Sequence, residues 1–329
     1  MRILVTGGCG FIGSNFIRYI LQHGKPVYVT NVDALTYAGN PANLDGVAEQ
    51  YPERYKFVKG DIAAVGKMDT LFVEQRFDAV VNFAAESHVD RSISSPQNFV
   101  HTNIVGTSVL LDCARRNGVR RFVQISTDEV YGSLGETGKF TEQTPLDASS
   151  PYSASKAGAD LIALASFKTF GQDVVVTRCS NNYGPYQFPE KLIPLMIIKA
   201  MRDEPLPVYG DGLNVRDWIH VEDHCVGIAA ALFEGKAGAV YNFGGNSEMP
   251  NLEVVKLILA KLGKPDSLIS FVRDRLGHDR RYAIDSSFVG RELHWKPEHD
   301  FREGLEATVD WYLQNGVWWQ ALLGRAGRY

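Results

Sequence analysis

Thr6-Gly7-Gly8-Cys9-Gly10-Phe11-Ile12-Gly13 is the most informative stretch of this 329-residue chain. It follows the apolar run at residues 3–5 and precedes a segment whose apolar residues recur at helical spacing. Its glycines satisfy both G-x-x-G-x-x-G (Gly7, Gly10, Gly13) and G-x-G-x-x-G. Such glycines permit a tight turn and the close approach of a pyrophosphate, which the N-terminus of the following helix faces. The stretch therefore predicts a dinucleotide site between a strand and a helix.

A carboxylate downstream of this turn supports the same interpretation. Asp33 ends the second apolar run, residues 27–32, where a carboxylate would bind a ribose diol. Because Asp33 would repel a 2′-phosphate and no arginine follows it directly, NAD is favoured over NADP. The alternative is a glycine-rich turn with a capping aspartate, but the strand and helix patterns on either side favour the dinucleotide site.

Apolar runs and helical patterns alternate along the first half of the chain. The runs lie at residues 3–5, 27–32, 55–58, 79–83, 122–125 and 174–177. This alternation predicts an α/β fold, a Rossmann-type doubly wound parallel sheet with ligand sites at the carboxyl ends of its strands. The pattern becomes less regular after Cys179. We therefore predict an NAD-binding domain at residues 1–180 and a smaller substrate-binding lobe at 181–329, with a strand near 240–243 returning to the main sheet.

Composition and charge exclude several classes of protein. The chain is 45% hydrophobic and 22% charged, as is ordinary for a globular protein, and its formal charge of -4 offers no field for nucleic acid or an anionic membrane. It has no apolar run of membrane-spanning length and begins at once with a strand, so a cytoplasmic location is expected. Its four cysteines lack CxxC spacing, which argues against both a zinc knuckle and a disulfide framework. No metal site is expected.

Thr127-Asp128-Glu129 follows the fifth apolar run and places a hydroxyl and two carboxyls at one strand end. Two carboxyls side by side in a closed pocket do not both ionise readily, so one tends to keep its proton while the other acts as a base. Turn formation or helix capping is the common alternative for acidic residues in this position.

Tyr152 and Lys156 form a second candidate catalytic pair. Residues four apart on a helix share one face, so the ammonium of Lys156 is expected to lie near the phenol and lower its pKa from about 10 toward working pH. A phenolate of this kind can take a proton from a substrate hydroxyl as hydride leaves the same carbon. A surface tyrosine beside an exposed lysine is the alternative.

Longer strings carry a family resemblance that covers nearly the whole chain. They are DALTYAG at 33–39, AAESHVDR at 84–91, PVY at 207–209, YGDGLNVRDW at 209–218 and DRLGHDRRY at 274–282. With the glycine turn, Thr127-Asp128-Glu129 and the Tyr152/Lys156 pair, the chain resembles the extended short-chain dehydrogenase/reductase family, and within it the enzymes that dehydrate nucleotide sugars.

The resemblance implies a set of roles. Thr127, Tyr152 and Lys156 would form the dehydrogenase triad, Asp128 would be the acid and Glu129 the base. NAD would be the cofactor and a nucleotide sugar, dTDP-glucose, the substrate, which would lose water to give a 4-keto-6-deoxy sugar for deoxysugar biosynthesis. Two copies would form a homodimer through the helices around residues 98–116 and 154–170.

The resemblance also implies two sets of binding residues. The expected cofactor residues are Gly7, Gly10, Phe11, Ile12, Gly13, Asp33, Ala34, Leu35, Thr36, Asp61, Ile62, Phe83, Ala84, Ala85, Glu86, Thr102, Tyr152, Lys156 and Asn182. The expected nucleotide-sugar residues are Ser87, Thr127, Asn181, Lys191, Leu192, Pro207, Val208, Tyr209, Arg216, Asn251, Asp274, Arg275 and His278.

Three other functions compete with this interpretation. A dehydratase acting on another nucleotide sugar would use the same residues. A nucleotide-sugar 4-epimerase would share the triad and the cofactor but has no use for Asp128 and Glu129. A non-catalytic NAD-dependent sensor would not need the triad intact.

Overall fold

Parallel strands form the central sheet of the protein, which we describe from a computed structural model for residues 1–24, 26–274 and 277–326. The strands are β1 (Arg2–Thr6), β2 (Tyr28–Asp33), β3 (Tyr55–Lys59), β4 (Ala79–Asn82), β5 (Arg121–Thr127), β6 (Val174–Cys179), β7 (Asn181–Tyr183), β8 (Leu206–Tyr209), β9 (Val215–His220), β10 (Val240–Phe243), β11 (Glu248–Pro250) and β12 (Ile269–Val272).

The helices alternate with these strands and then dominate the C-terminal part. They are α1 (Phe11–Gln22), α2 (Val47–Gln50), α3 (Val65–Gln75), α4 (Val89–Ser94), α5 (Pro96–Phe99), α6 (Thr107–Arg116), α7 (Pro151–Phe170), α8 (Leu192–Met201), α9 (Val221–Glu234), α10 (Asn251–Leu262), α11 (Ser287–Leu293), α12 (Phe301–Gln314) and α13 (Gly316–Ala326). The helix predicted around 98–116 is interrupted, because Val100–Gly106 forms a π-helical segment between α5 and α6.

The central sheet has the order β3-β2-β1-β4-β5-β6-β10, and its neighbouring strands are all parallel. The direction of winding reverses between β1 and β4, which places a crevice outside their carboxyl ends. The predicted doubly wound parallel sheet is confirmed. Strand β10 pairs with β6, Val240 opposite Val176 and Phe243 opposite Cys179.

Both faces of this sheet are covered, which explains why its strands read as continuous apolar runs. On one face Ile3 and Val5 pack with Phe16 of α1 and Ile228 of α9. On the other face Leu4 packs in a cluster with residues of α3, α6 and α7. The packing of α9 against α1 is an addition that the sequence patterns did not predict, since α9 lies after residue 180 in the chain.

A second, smaller layer forms from the remaining elements. Strands β11, β9 and β7 make a three-stranded sheet, and β12 pairs with β8. Their core contains Trp218, Ile197, Val255 and Tyr312 from β9, α8, α10 and α12. Within the described residues, no helix is both long enough and apolar enough to cross a bilayer. The four cysteines are buried as free thiols.

Candidate active site

The glycine turn brings the end of β1 against the end of β4. Gly7 has φ of +67°, and a Cβ added there would lie 2.6 Å from the backbone nitrogen of Ala84. A Cβ at Gly13 would lie 2.5 Å from the carbonyl oxygen of Gly7. Only glycine satisfies these positions without moving the backbone. Because no described side chain caps α1 at Gly10, the N–H groups of its first turn are available to an anionic group in the cavity beside them.

Asp33 is held in one orientation at the end of β2. Its Oδ2 accepts the N–H of Cys9 at 2.9 Å, and its Oδ1 accepts the N–H of Leu35 at 2.7 Å. Burial raises the pKa of Asp33, and these two backbone donors oppose the rise. Asp61, at the end of β3, accepts the N–H of Ala63 at 2.8 Å. Both carboxyls line the same cavity and suit the hydroxyl groups of a bound nucleoside.

This cavity, of about 320 Å³, runs along the carboxyl ends of the central strands. All the predicted cofactor residues except Leu35 line it, as do the five predicted catalytic residues. The backbone approach at Gly7, the uncapped start of α1 and the fixed carboxylate of Asp33 fit a dinucleotide. Leu35 has φ of +56° and meets the site through the bond that its N–H donates to Asp33.

Thr127 joins β5 to the 3₁₀ turn Asp128–Tyr131 and orients both carboxyls. Its Oγ1 accepts the N–H of Glu129 and donates to Oδ1 of Asp128, each at 3.3 Å. The pKa of Asp128 is raised well above its usual value, first by burial and then by the charges of Glu129 and Asp217, while the Arg216 guanidinium opposes the rise. Asp128 therefore keeps its proton at a pH where an ordinary aspartate has lost it, as a general acid requires.

A capping box places Tyr152 at the start of α7. Ser150 Oγ accepts the N–H of Ser153 at 3.1 Å, and Ser153 Oγ accepts the N–H of Ser150 at 3.0 Å. Tyr152 is then 8% exposed and hydrogen-bonds Thr127. One turn later, Lys156 is 4% exposed, and its Nζ donates to the carbonyl of Ile125 at 2.6 Å.

The electrostatics of this pair differ from the prediction. Burial and the Glu129 carboxylate raise the pKa of Tyr152 well above its usual value, although the hydrogen bond with Thr127 opposes the rise. Burial lowers the pKa of Lys156. The predicted lowering of the phenol pKa by Lys156 is therefore wrong for this geometry, because the ammonium is held on the Ile125 carbonyl, and the carboxyls of buried Asp128 and half-buried Glu129 lie near the phenol.

Comparisons with known proteins agree with this arrangement. The family model described as GDP-mannose 4,6 dehydratase matches residues 4–308. The chain belongs to this family. It is 53% identical to a dTDP-glucose 4,6-dehydratase from Xanthomonas campestris pv. campestris (strain B100), covering 97% of this chain and 95% of that protein.

Two crystal structures of family members are also close. One is a dTDP-glucose 4,6-dehydratase from Streptomyces venezuelae with NAD bound, with a TM-score of 0.95 and 50% identity over 98% of this chain and 100% of that one. The other, from Bacillus anthracis in complex with NAD, has a TM-score of 0.91 and 52% identity over 98% of this chain and 99% of that one. The resemblance drawn from the sequence and the choice of NAD are confirmed.

In this protein, the predicted nucleotide-sugar residues fall into two groups. Ser87, Thr127, Asn181 and Lys191 line the cavity, and Lys191 Nζ donates to the carbonyl of Ser87 at 3.1 Å. The remaining described ones, which we call the lobe group, belong to the smaller layer. They are Leu192, Pro207, Val208, Tyr209, Arg216, Asn251, Asp274 and His278. Arg275 lies outside the described residues.

Contacts with one another and with neighbouring residues hold the polar side chains of the lobe group. His278 Nδ1 lies 2.6 Å from Asp274 Oδ1, and its ring meets Tyr209 edge-on at 6.2 Å between centroids. Arg216 donates to the carbonyl of Asp279 at 3.0 Å and stacks on Tyr282 at 4.5 Å. Because the charge of Arg216 also acts on the pKa of Asp128, the lobe group reaches the catalytic carboxyls.

The sequence reasoning missed several residues that line the cavity. Ser126, Cys179 and Ser180 lie at the ends of β5 and β6, where the rule that ligands bind at strand carboxyl ends would have found them. Phe188 and Glu190 lie in the link after β7, and there only proximity in the fold reveals them.

Proposed function

We propose that this protein is an NAD-dependent dTDP-glucose 4,6-dehydratase, a lyase that converts dTDP-glucose into dTDP-4-keto-6-deoxyglucose and water. The observation that carries the proposal is the pair of carboxyls at the end of β5, Asp128 protonated by its burial and Glu129 beside it, next to Tyr152 and Lys156. A 4-epimerase has no step that needs this pair. We place the reaction in the cytoplasm, as a step of deoxysugar biosynthesis.

NAD would be held by the glycine turn, Asp33, Asp61 and the end of β4. When bound, NAD accepts hydride from C4 of the sugar and returns it to C6, and the positive charge of its oxidised ring favours the phenolate form of a neighbouring tyrosine.

Tyr152 acts first, as the base for the C4 hydroxyl. Its position beside Thr127 lets the threonine hydroxyl hold the same oxygen of the sugar while the proton leaves. Lys156 lies one helical turn after Tyr152 on the same face of α7. Its ammonium, which donates to the Ile125 carbonyl, supplies a positive charge there. Oxidation at C4 produces a ketone, and this ketone makes the C5 proton acidic.

Glu129 and Asp128 then carry out the elimination. Glu129 removes the C5 proton, and Asp128 protonates the departing C6 hydroxyl, which leaves as water. Glu129 returns its proton to C5 when hydride reaches C6. The proton that Tyr152 took from O4 balances the one that Asp128 gave to the water, so the net change is loss of one water molecule. Each assisted proton transfer contributes about 10²–10⁴ in rate.

We also infer a homodimer joined through the faces of the π-helical segment, α6 and α7. Val100, Val105 and Leu161 expose 48%, 43% and 58% of their surface there, on elements that pack against each other. An apolar face of this kind is stabilised by a second copy. Replacing Leu161 with Asp should convert the dimer into a monomer in sedimentation experiments, whereas the same change at exposed Val317, on α13, should not. A monomeric unsubstituted protein would contradict the inference.

The function is tested with dTDP-glucose carrying deuterium at C4. The proposed reaction transfers this deuterium to the methyl group at C6, where NMR of the product detects it. A galactose epimer that keeps its C6 hydroxyl would show a 4-epimerase instead, and the absence of turnover would show a sensor. Comparing dTDP-, UDP-, CDP- and GDP-glucose under the same conditions tests the nucleotide, and the proposal requires the highest kcat/KM for dTDP-glucose.

A further inference from the structure

Three side chains that could bind a metal ion meet where β9 passes into α9. They are His220, Glu222 and His299, and none of them lines the cavity of the proposed active site. Their potential ligand atoms all lie within 4.8 Å of one another. The two imidazole rings stack with centroids 4.0 Å apart and planes 24° apart. His220 is buried, whereas Glu222 and His299 are exposed, so the group opens to solvent on one side.

The hydrogen bonds of His299 fix its tautomer. Its Nδ1 lies 2.8 Å from Oδ1 of Asp223, and a carboxylate can only accept, so Nδ1 carries the proton. The lone pair is then on Nε2, which lies 3.4 Å from Oε2 of Glu222. A carboxylate behind a histidine in this way is the usual support of a metal-binding imidazole.

Asp223 is itself firmly held in this supporting position. It is 5% exposed, and its Oδ2 accepts the N–H groups of Glu298 and His299, both at 3.0 Å. The ring of His299 is thus oriented by a carboxylate that cannot easily turn away.

The lone pair of the His220 ring lies on Nδ1, the nitrogen that faces Glu222. Its Nδ1 accepts the N–H of Glu222 at 3.4 Å, so the ring proton is on Nε2. A Cβ at Gly184 would lie 3.2 Å from that Nε2, so this nitrogen faces the interior. The bond to the Glu222 N–H is long, and a metal ion could replace it.

We propose that His220 Nδ1, Glu222 Oε2 and His299 Nε2 form a binding site for a divalent transition-metal ion of the zinc type. Two imidazoles and one carboxylate are a common ligand set for zinc, whose fourth position is filled by water. Donors about 2.1 Å from one ion in a tetrahedral site are about 3.4 Å apart. Separations of up to 4.8 Å therefore need to close by up to about 1.4 Å, and the stacked imidazoles must tilt so that both lone pairs point at the ion. The exposed Glu222 side chain is free to move toward the ion, and the His299 ring can tilt while its Nδ1 stays on Asp223.

The ion would act as a structural clamp. It would join the start of α9 to the segment that enters α12 at Phe301, two elements distant in sequence. None of the three ligands lines the cavity, so the ion would take no part in the proposed reaction.

Titration calorimetry with ZnCl2 on the full-length, EDTA-treated protein tests the site. We expect one zinc ion per chain and a higher Tm with zinc than without it. The variants His299→Ala and Glu222→Gln should each weaken binding by at least about 10-fold and remove the Tm increase. The control is His23→Ala, because His23 is also exposed, stacks on Tyr19 at 4.7 Å and bonds a backbone carbonyl, yet lies outside the group.

Co²⁺ provides a second measurement that does not depend on stability. A tetrahedral nitrogen and oxygen site gives the ion visible absorption that the aqueous ion lacks, and this absorption should appear with the unsubstituted protein and His23→Ala alone. Glu222→Gln changes an exposed side chain, so this EDTA-treated variant should keep the Tm of the EDTA-treated protein. His299→Ala also removes a bond to buried Asp223, so its test is the Co²⁺ absorption. Binding weaker than about 1 mM, or equal binding by His299→Ala, would overturn the proposal.

Discussion

Replacing Asp128 with Asn tests the assignment of the acid. Asn has nearly the same shape and keeps an acceptor for the Thr127 hydroxyl, which lies 3.3 Å from Asp128 Oδ1, but it has no acidic proton for the C6 hydroxyl. Loss of one general acid lowers a rate by about 10²–10⁴, which corresponds to about 3–5 kcal/mol in the barrier. We expect kcat to fall by this factor, while the step that reduces NAD keeps its rate.

The pH dependence makes this prediction specific. Asp128 acts in its protonated form, and its pKa is raised well above 3.8, so dehydration should continue through neutral pH and decline as the pH rises through the folded-state pKa. This alkaline decline should be absent from the residual activity of Asp128→Asn. A Glu129→Gln variant is the matched control, because its reaction should also stop after NAD has been reduced, whereas its Asp128 keeps the acidic proton.

Stability provides an independent readout of the same carboxyl. A buried acid whose folded-state pKa is raised contributes stability that is fully present below its unfolded pKa, near 3.8, and is lost as the pH rises through the folded-state pKa. Each tenfold decrease in the acid dissociation constant of Asp128 on folding corresponds to about 1.4 kcal/mol in the free energy of unfolding. Asp128→Asn should therefore gain stability relative to the unsubstituted protein above about pH 4, as urea denaturation can measure. A variant with the full dehydration rate, or with the alkaline decline unchanged, would refute the assignment.

Three further substitutions test other parts of the molecule. Tyr152→Phe should prevent reduction of NAD in single turnover while keeping the Tm, and reduced cofactor forming at the normal rate would contradict the role of the phenol. Gly7→Ala should abolish copurification of NAD, because its Cβ would lie 2.6 Å from the backbone of Ala84, and full NAD content would show that the turn is not the site. Arg178→Met should lose about 3–5 kcal/mol in urea denaturation, since it leaves Asp160 buried without its partner at 2.9 Å, and a loss below about 1 kcal/mol would contradict this.

The parallel sheet and the cofactor side of the site were predictable because their determinants are local. The glycine turn needs only consecutive residues, and each strand that ends at the crevice carries its own apolar run. Asp33 ends β2, and Asp61 lies two residues after β3. The rule that ligands bind at strand ends then places residues from different strands together without knowledge of any side-chain contact.

Such rules could not predict the position of the lobe group or the pKa shifts of the catalytic residues, because both depend on contacts between distant segments. Arg216 on β9 influences Asp128 at the end of β5, and no local pattern connects the two. The Tyr152 to Lys156 spacing correctly indicates a shared helix face. It does not reveal that the Ile125 carbonyl captures the ammonium, which depends on how α7 packs against β5.

The same burial that makes Asp128 useful also makes it unfavourable for the fold. Its Oδ2 is buried without a hydrogen-bond partner among the described residues, and the charges of Glu129 and Asp217 oppose its ionisation. In the core, by contrast, Arg178 Nε donates to Oδ2 of the buried Asp160 at 2.9 Å, and its charge opposes the rise that burial causes in the pKa of this carboxyl. A fold selected only for stability would pair both buried carboxyls with a cation. An acid that must give up a proton near neutral pH cannot be paired with a close cation, because such a partner would lower its pKa and leave it ionised before the sugar arrives.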